Sequence, residues 1–174
     1  MSSAAREKTL ILMRHSKAEE GSGKPDHDRE LSPRGRRDAA AAGSWLREEG
    51  LLPDLVICST AVRTRQTWDA AVRGGAQTEF LEYRKSVYQG GPTALVETVR
   101  EDAGDMTTVL VVGHNPTMAE VASRLTDGQG SSYAHEALGK GFATSGVAVL
   151  RYAGDWTDLD FGSCDLARFH VSRG

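Results

Sequence analysis

The stretch TTVLVVGHNP, residues 107–116, decides the predicted fold. Its first six residues are apolar or β-branched, which is typical of a buried strand, and Gly113-His114-Asn115-Pro116 turns the chain into the helix that follows. Two earlier segments have the same character: TLILM at 9–13 ends in a charged cluster, and LVIC at 55–58 leads directly into a helix. Short strands that are apolar throughout predict a sheet that is buried on both faces.

Helical segments separate these strands. Ser32-Pro33 has the pattern of an N-cap followed by a first-turn proline, and the alanine-rich segment 33–49 continues it as a helix. Further helices are predicted at about 61–72, from Pro92 onward, and from about 116 through 125. This alternation predicts an α/β fold: a single three-layer domain with a mostly parallel central sheet flanked by helices.

The rest of the chain gives weaker signals. A further strand is predicted at 78–81, and strands at 146–152 and 157–161 are predicted to form a hairpin through Ala153-Gly154-Asp155. Residues 1–8 are interpreted as an N-terminal tail, and residues 9–174 as the domain.

Composition excludes several classes of protein. The chain has 174 residues and a net charge of −3, which suits one domain and disfavours non-specific nucleic-acid binding. Its longest hydrophobic runs are about four residues, whereas a membrane span needs ~20, and charges near the N-terminus argue against a signal peptide. Cys58 and Cys164 lack metal or redox spacing and are expected to be buried free thiols. A cytoplasmic protein is expected, and nothing indicates more than a monomer.

Reactive residues follow three of the predicted strands. Arg14 and His15 follow the first, Ser59 to Arg63 follow the second, and His114 follows the third. Taken singly, such a histidine is often bonded to a backbone carbonyl and such an arginine is often a solvated helix residue. Because ligands bind at the carboxyl ends of parallel strands, we expect these residues to converge on one crevice. Two histidines and two arginines together predict a phosphate site.

Phosphate chemistry suits these residue types. Guanidinium groups match phosphate oxygens with charge-assisted hydrogen bonds, and helix N-termini after Ser59 and after Asn115 add backbone donors. A neutral imidazole is a good nucleophile near pH 7. One histidine is therefore expected to attack phosphorus while the other, protonated, binds a non-bridging oxygen.

Four blocks of the sequence resemble the histidine phosphatase superfamily. The segment LMRHS at 12–16 is similar to the superfamily signature, whose usual form is Arg-His-Gly. The resemblance continues in family order through DRELSPRG at 28–35, ICSTAVRTRQT at 57–67 and VGHNP at 112–116. The short length, with no large cap, is similar to the SixA-type phosphohistidine phosphatases. The resemblance implies a phosphoglycerate-mutase-like fold.

The resemblance also implies roles for individual residues. His15 would be the nucleophile that becomes phosphorylated, Arg14 and Arg63 would bind the phosphoryl group, and His114 would complete the pocket. Ser16 replaces the commoner glycine and adds a hydroxyl that could contact phosphate. Four residues are expected to bind substrate: Ser16, Lys17, Ser59 and Asn115. Of these, Lys17 could equally be an ordinary surface lysine. No metal or cofactor is expected.

The general acid is missing from the pattern. Larger relatives use a glutamate or aspartate to protonate the leaving oxygen, and Glu82 is the nearest candidate because it follows the predicted strand at 78–81. Asp26 and Asp28 are interpreted as solvated loop carboxylates. An alkoxide needs a proton in order to leave, whereas imidazole is a far better leaving group. A site without a strong acid would therefore favour P–N over P–O substrates.

Three functions remain open from the sequence. The leading one is a phosphatase that acts on protein phosphohistidine, for example on a histidine phosphotransfer domain. A phosphomonoesterase of the same superfamily, acting on small molecules, would be favoured if Glu82 lined the pocket. A phosphate-binding or phosphoprotein-binding module without turnover belongs to another class, and the presence of His15 disfavours it.

Overall fold

A six-stranded sheet forms the centre of the computed structural model, which describes residues 6–21 and 23–174. The strands are β1 (Glu7–Arg14), β2 (Leu55–Ser59), β3 (Phe80–Arg84), β4 (Thr108–Gly113), β5 (Gly146–Ala153) and β6 (Cys164–Val171). Their order in the sheet is β3-β2-β4-β1-β5-β6. Strands β1 to β4 run parallel to one another, and β5 runs antiparallel to both of its neighbours, β1 and β6.

Helices cover both faces of the sheet. They are α1 (Pro33–Glu48), α2 (Val62–Gly74), α3 (Lys85–Gln89), α4 (Pro92–Asp102), α5 (Thr117–Thr126) and α6 (Ser132–Gly139). Ser32 caps α1 as predicted, because its hydroxyl accepts a hydrogen bond from the Gly35 amide at 3.1 Å. The predicted three-layer α/β fold is confirmed.

The apolar strands divide their side chains between two cores. Leu10 and Leu12 of β1 point to the face covered by α3, α4, α5 and α6, while Ile11 and Met13 point to the face covered by α1 and α2. All four side chains are fully buried. A strand that alternates between two cores must be apolar at every position, which explains the continuous apolar runs in the sequence.

Glycine allows α1 and α2 to pack at backbone distance. A Cβ added at Gly43 of α1 would lie 1.9 Å from the Ala71 carbonyl oxygen of α2. The contact is reciprocal, because a Cβ at Gly74 would lie 1.9 Å from the Ala40 carbonyl oxygen. The close approach fixes α2, the helix that carries Arg63, directly against α1.

The predicted hairpin at 146–161 is wrong. Residues 156–158 form a 3-10 turn, and the partner of β5 is β6, some residues later in the chain. The buried Trp156 explains the difference, because its indole Nε1 donates to the Met106 carbonyl oxygen at 2.6 Å and draws the segment away from the sheet edge. The short helices α3 and α6 were also not predicted, and β3 begins two residues later than expected.

The boundary between the predicted tail and the domain is also corrected. Residues 1–5 lie outside the described residues, but Glu7 and Lys8 already belong to β1, where they pair with Ala153 and Tyr152 of β5. Among the helices that the structure describes, none combines the length and the apolar character that a membrane span requires.

Replacing Gly43 by alanine is expected to lower the free energy of unfolding by about 1–3 kcal/mol, because the added methyl group forces α1 and α2 apart. Urea denaturation measures the change. Gly139→Ala at the end of α6 is the matched control, since its new methyl group meets no described atom within 4 Å. We expect this control to leave stability unchanged or slightly raised, and equal losses in the two variants would contradict the proposed packing constraint.

Candidate active site

The three predicted strand ends meet at one edge of the sheet. The backbone amide of His15, just after β1, donates to the Gly113 carbonyl oxygen at the end of β4, at 3.0 Å. This bond holds the His15 and His114 rings with their centroids 5.3 Å apart. Both rings, together with Arg14 and Arg63, line a cavity of about 380 Å³. The structure thus brings together the four residues predicted as catalytic.

His15 is held in one tautomer. Its Nδ1 lies 2.8 Å from the Ser16 carbonyl oxygen, and because a carbonyl can only accept, Nδ1 carries the proton. The lone pair of the neutral ring is therefore on Nε2. The pKa of His15 is lowered to about 4, mainly by burial. The charges of Arg63 and Arg14 lower this pKa further, whereas the hydrogen bond to Ser16 raises it. At pH 7 the ring is neutral and is in the form that can attack phosphorus.

The pKa of His114 is low as well, and its expected protonation against a bound phosphoryl oxygen stays a prediction. Burial lowers its pKa to about 3, and the neighbouring His15 and Arg63 act in the same direction. Its Nε2 is 2.7 Å from the Ser59 hydroxyl, which accepts the Ala61 amide proton at 3.2 Å. Ser59 is fully buried and does not line the cavity, so its hydroxyl orients His114 and is not placed to bind substrate.

The two arginines are anchored through their terminal nitrogens. Arg14 Nη1 donates to the Phe142 carbonyl oxygen at 2.9 Å, and Arg63 donates to the backbone and side-chain oxygens of Asp26 at 2.7 and 3.1 Å. In the part of the chain that the structure describes, five buried side-chain N or O atoms lack a hydrogen-bond partner, and three of them are Arg14 Nε, Arg63 Nε and His114 Nδ1. The site is therefore rich in donors, which suits an oxyanion such as phosphate.

The other predicted substrate-binding residues have different positions. Ser16 is fully buried, its hydroxyl bonds to that of Ser145, and it does not line the cavity, which corrects the expected phosphate contact. Asn115 lines the cavity, but its side chain bonds to the Phe142 carbonyl oxygen at 2.9 Å and to the Ala119 amide at 3.3 Å. Lys17 lines the cavity, 3.7 Å from Glu20.

Glu82 is not brought to this site, so its candidacy as general acid is wrong. It pairs with Ile57 in the middle of β3 and lines a separate cavity with Leu55, Phe80 and Asp102. The physical reason is that β3 continues for two more residues beyond Glu82 before it reaches the carboxyl edge of the sheet.

Asp26 and Tyr88 belong to the site, although Asp26 was interpreted as a solvated loop carboxylate and Tyr88 was not among the predicted site residues. Asp26 lines the cavity, and its carboxylate accepts hydrogen bonds from the Tyr88 hydroxyl at 2.9 Å, Arg63 at 3.1 Å and Arg29 at 3.2 Å. These donors, with Tyr88 first, lower the pKa of Asp26 to about 2. Asp28 on the same turn does not line the cavity. The one sequence signal for Asp26 was its place in the loop that follows His15.

Within residues 6–21 and 23–174, no group of three or more histidine, cysteine, aspartate or glutamate side chains is arranged to hold a metal ion. Cys58 and Cys164 are buried free thiols, and burial raises their pKa values to about 12 and about 11.

Comparisons with known proteins agree on one family. The model of the histidine phosphatase superfamily (branch 1) matches residues 10–85. The chain is 40 % identical to a candidate phosphohistidine phosphatase SixA from Nakamurella multipartitia, with a TM-score of 0.84 and coverage of 98 % of this chain and 99 % of that one. A candidate SixA from Agrobacterium tumefaciens is 29 % identical with a TM-score of 0.76, over 94 % and 98 % of the two chains. Protein Rv1276c of Mycobacterium tuberculosis, which is uncharacterised, is 41 % identical over 92 % of this chain and all of its own.

The low pKa of His15 predicts a pH-dependent stability. An unfolded histidine binds a proton near pH 6.5 and folded His15 does so near pH 4, so the unfolded chain binds more protons between these values and stability falls as the pH drops through this window. His15→Asn removes this contribution. Urea denaturation across the window should show that the variant loses less stability than the wild type, by a difference on the order of 3 kcal/mol. Identical pH dependence in the two proteins would contradict the lowered pKa.

Proposed function

The chain belongs to the histidine phosphatase superfamily and is a phosphatase, and from this premise we propose that it removes the phosphoryl group from phosphohistidine in a protein. The observation that carries the substrate class is the state of the carboxylates at the cavity. Asp26 is held ionised by three donors, and Glu20 is largely exposed beside Lys17. A site built in this way has little means of protonating an alkoxide.

The first step is attack by His15 on phosphorus. Nε2 forms the new bond to phosphorus while the bond between phosphorus and the substrate nitrogen breaks. That electron pair returns to the substrate ring, which leaves as neutral imidazole because its other nitrogen already carries a proton. Arg14 and Arg63 neutralise charge on the equatorial oxygens, which is the main requirement of phosphoryl transfer. The Ser59 hydroxyl can donate its proton to His114 Nε2. The neutral His114 ring then carries its own proton on Nδ1, where it can donate to a phosphoryl oxygen.

The second step returns His15 to its starting form. Phosphorylated on Nε2, the ring keeps its Nδ1 proton because that proton is bonded to the Ser16 carbonyl oxygen. Water attacks phosphorus, the bond to Nε2 breaks, the ring leaves as neutral imidazole, and the protons of the water stay on the released phosphate. Neither half of the reaction therefore requires a carboxylic acid to protonate the leaving nitrogen.

The open cavity suits a side chain that protrudes from another protein. Along the described chain, the strands and helices follow one another without an inserted unit over the site. We propose a histidine phosphotransfer domain as the partner, because its phosphorylated histidine stands on a surface. Arg29 and Lys17 at the cavity add positive charge for the approach of the phosphoryl group.

Phosphate release from a phosphohistidine-bearing phosphotransfer domain tests the proposal. The wild type should release phosphate, and His15→Ala should lower kcat by at least ~10³-fold because it removes the nucleophile. His135→Asn, a histidine variant on α6 away from the cavity, should keep kcat within about twofold.

Two other outcomes would change the conclusion. If the wild type hydrolyses p-nitrophenyl phosphate but releases nothing from the phosphotransfer domain, the substrates are small phosphomonoesters instead. If His15→Ala keeps its activity on the phosphotransfer domain, His15 is not the nucleophile.

A further inference from the structure

We propose that the Asp26 carboxylate accepts a hydrogen bond from the protonated ring nitrogen of the substrate phosphohistidine. It thereby favours substrates with a P–N bond over substrates with a P–O bond. This inference rests on the proposed function, since it assigns the leaving group of that same reaction a binding partner. Asp26, whose place at the cavity was not predicted from the sequence, would therefore determine which substrates are cleaved.

The carboxylate of Asp26 is fixed by donors from three parts of the fold. Tyr88 of α3 and Arg63 of α2 both donate to Oδ2, at 2.9 and 3.1 Å, while Arg29 of the same loop donates to Oδ1 at 3.2 Å. The Tyr88 ring packs edge-on to His114 at 5.6 Å between centroids, which ties the cluster to the catalytic histidines. Even so, 56 % of the Asp26 side chain stays exposed, so its carboxylate can still accept a hydrogen bond from a ligand in the cavity.

Phosphohistidine is a good substrate only when its ring is protonated. One ring nitrogen carries phosphorus, and if the other carries a proton, the electron pair of the breaking P–N bond produces neutral imidazole. Without that proton the ring would leave as imidazolate, a much stronger base. A carboxylate that accepts a hydrogen bond from the ring N–H favours the cationic form of the substrate. Asp26 would hold the proton on the substrate without donating one itself.

The same carboxylate works against phosphomonoesters. Cleavage of a P–O bond places negative charge on the leaving oxygen, and a fixed negative charge nearby raises the energy of that transition state. Asp26 remains ionised because its three donors stabilise the charged form, so it does not relieve the repulsion by protonation. One residue would thus assist one leaving group and oppose the other.

Asp26 also orients Arg63, and this second role must be separated from the first. Both terminal nitrogens of the Arg63 guanidinium bond to Asp26, so any Asp26 variant affects binding of the phosphoryl group. That effect applies equally to every phosphorylated substrate. Only the ratio of kcat/KM values for a P–N and a P–O substrate reports on the leaving group.

The test compares Asp26→Asn with Asp28→Asn, a control on the same turn whose side chain is outside the cavity. The free amino acid phosphohistidine and p-nitrophenyl phosphate are used, because two small substrates remove any effect of protein docking. Asp26→Asn should lower the ratio of kcat/KM for phosphohistidine to kcat/KM for p-nitrophenyl phosphate by at least tenfold. Asp28→Asn should keep this ratio within twofold of the wild type.

A second variant guards against loss of folding. Tyr88→Phe removes the hydrogen bond that holds Asp26 Oδ2 in place and leaves the bonds to Arg63. The carboxylate is then less well placed for the substrate ring, so the ratio should fall about two- to fivefold. Unchanged ratios in both Asp26→Asn and Tyr88→Phe would overturn the inference and leave Asp26 as a positioning residue for Arg63. A wild type that hydrolyses p-nitrophenyl phosphate but neither phosphohistidine nor the phosphotransfer domain would instead overturn the proposed function.

Discussion

The parallel pairing of β1 with β4, and of β4 with β2, determines the geometry of the whole site. Because the three strands end at the same edge, the residues that follow them meet without any contribution from a separate domain. One backbone bond, from His15 to Gly113, then sets the distance between the two histidine rings. The apolar run at the centre of each of these strands follows from the same arrangement, since the strands are covered by helices on both faces. The chemistry of this protein is therefore a consequence of sheet order.

Burial and the charges at that edge of the sheet explain the protonation states of the titratable groups. Two guanidinium groups lie next to two imidazoles in a poorly solvated place, and protonating either ring would add a third buried cation. Both pKa values are consequently low, and the rings stay neutral. Asp26 is the opposite case, because the hydrogen bond from Tyr88 and then those from Arg63 and Arg29 stabilise its ionised form. Burial, with the neighbouring arginines, thus keeps His15 neutral, while Tyr88 and the same arginines keep the nearest carboxyl group ionised.

Features that depend on where the strands end could be predicted from the sequence. Features that depend on the direction of individual side chains could not. The fold and the meeting of Arg14, His15, Arg63 and His114 follow from apolar periodicity and the rule that parallel strands end together. Burial of the Ser16 and Ser59 hydroxyls could not be predicted, since it depends on which way each side chain points after its strand. Asp26 was missed for a related reason: its place is set by contacts with α2 and with α3, a five-residue helix that has no sequence signature. The strand predicted at 157–161 failed because alternating polarity also fits a loop pinned by a buried tryptophan.

The proposed reaction is nearly symmetrical, and this explains how a phosphatase could work without a general acid. In both halves the leaving group is an imidazole that bears a proton on the nitrogen away from phosphorus. For His15 that proton is held by the Ser16 carbonyl oxygen, and for the substrate it would be held by the Asp26 carboxylate. The two acceptors differ in charge, and a carboxylate stabilises an imidazolium more than a carbonyl does. Charge would therefore assist binding of the cationic substrate before transfer, while the neutral carbonyl would leave the phosphorylated His15 less stabilised and ready for attack by water.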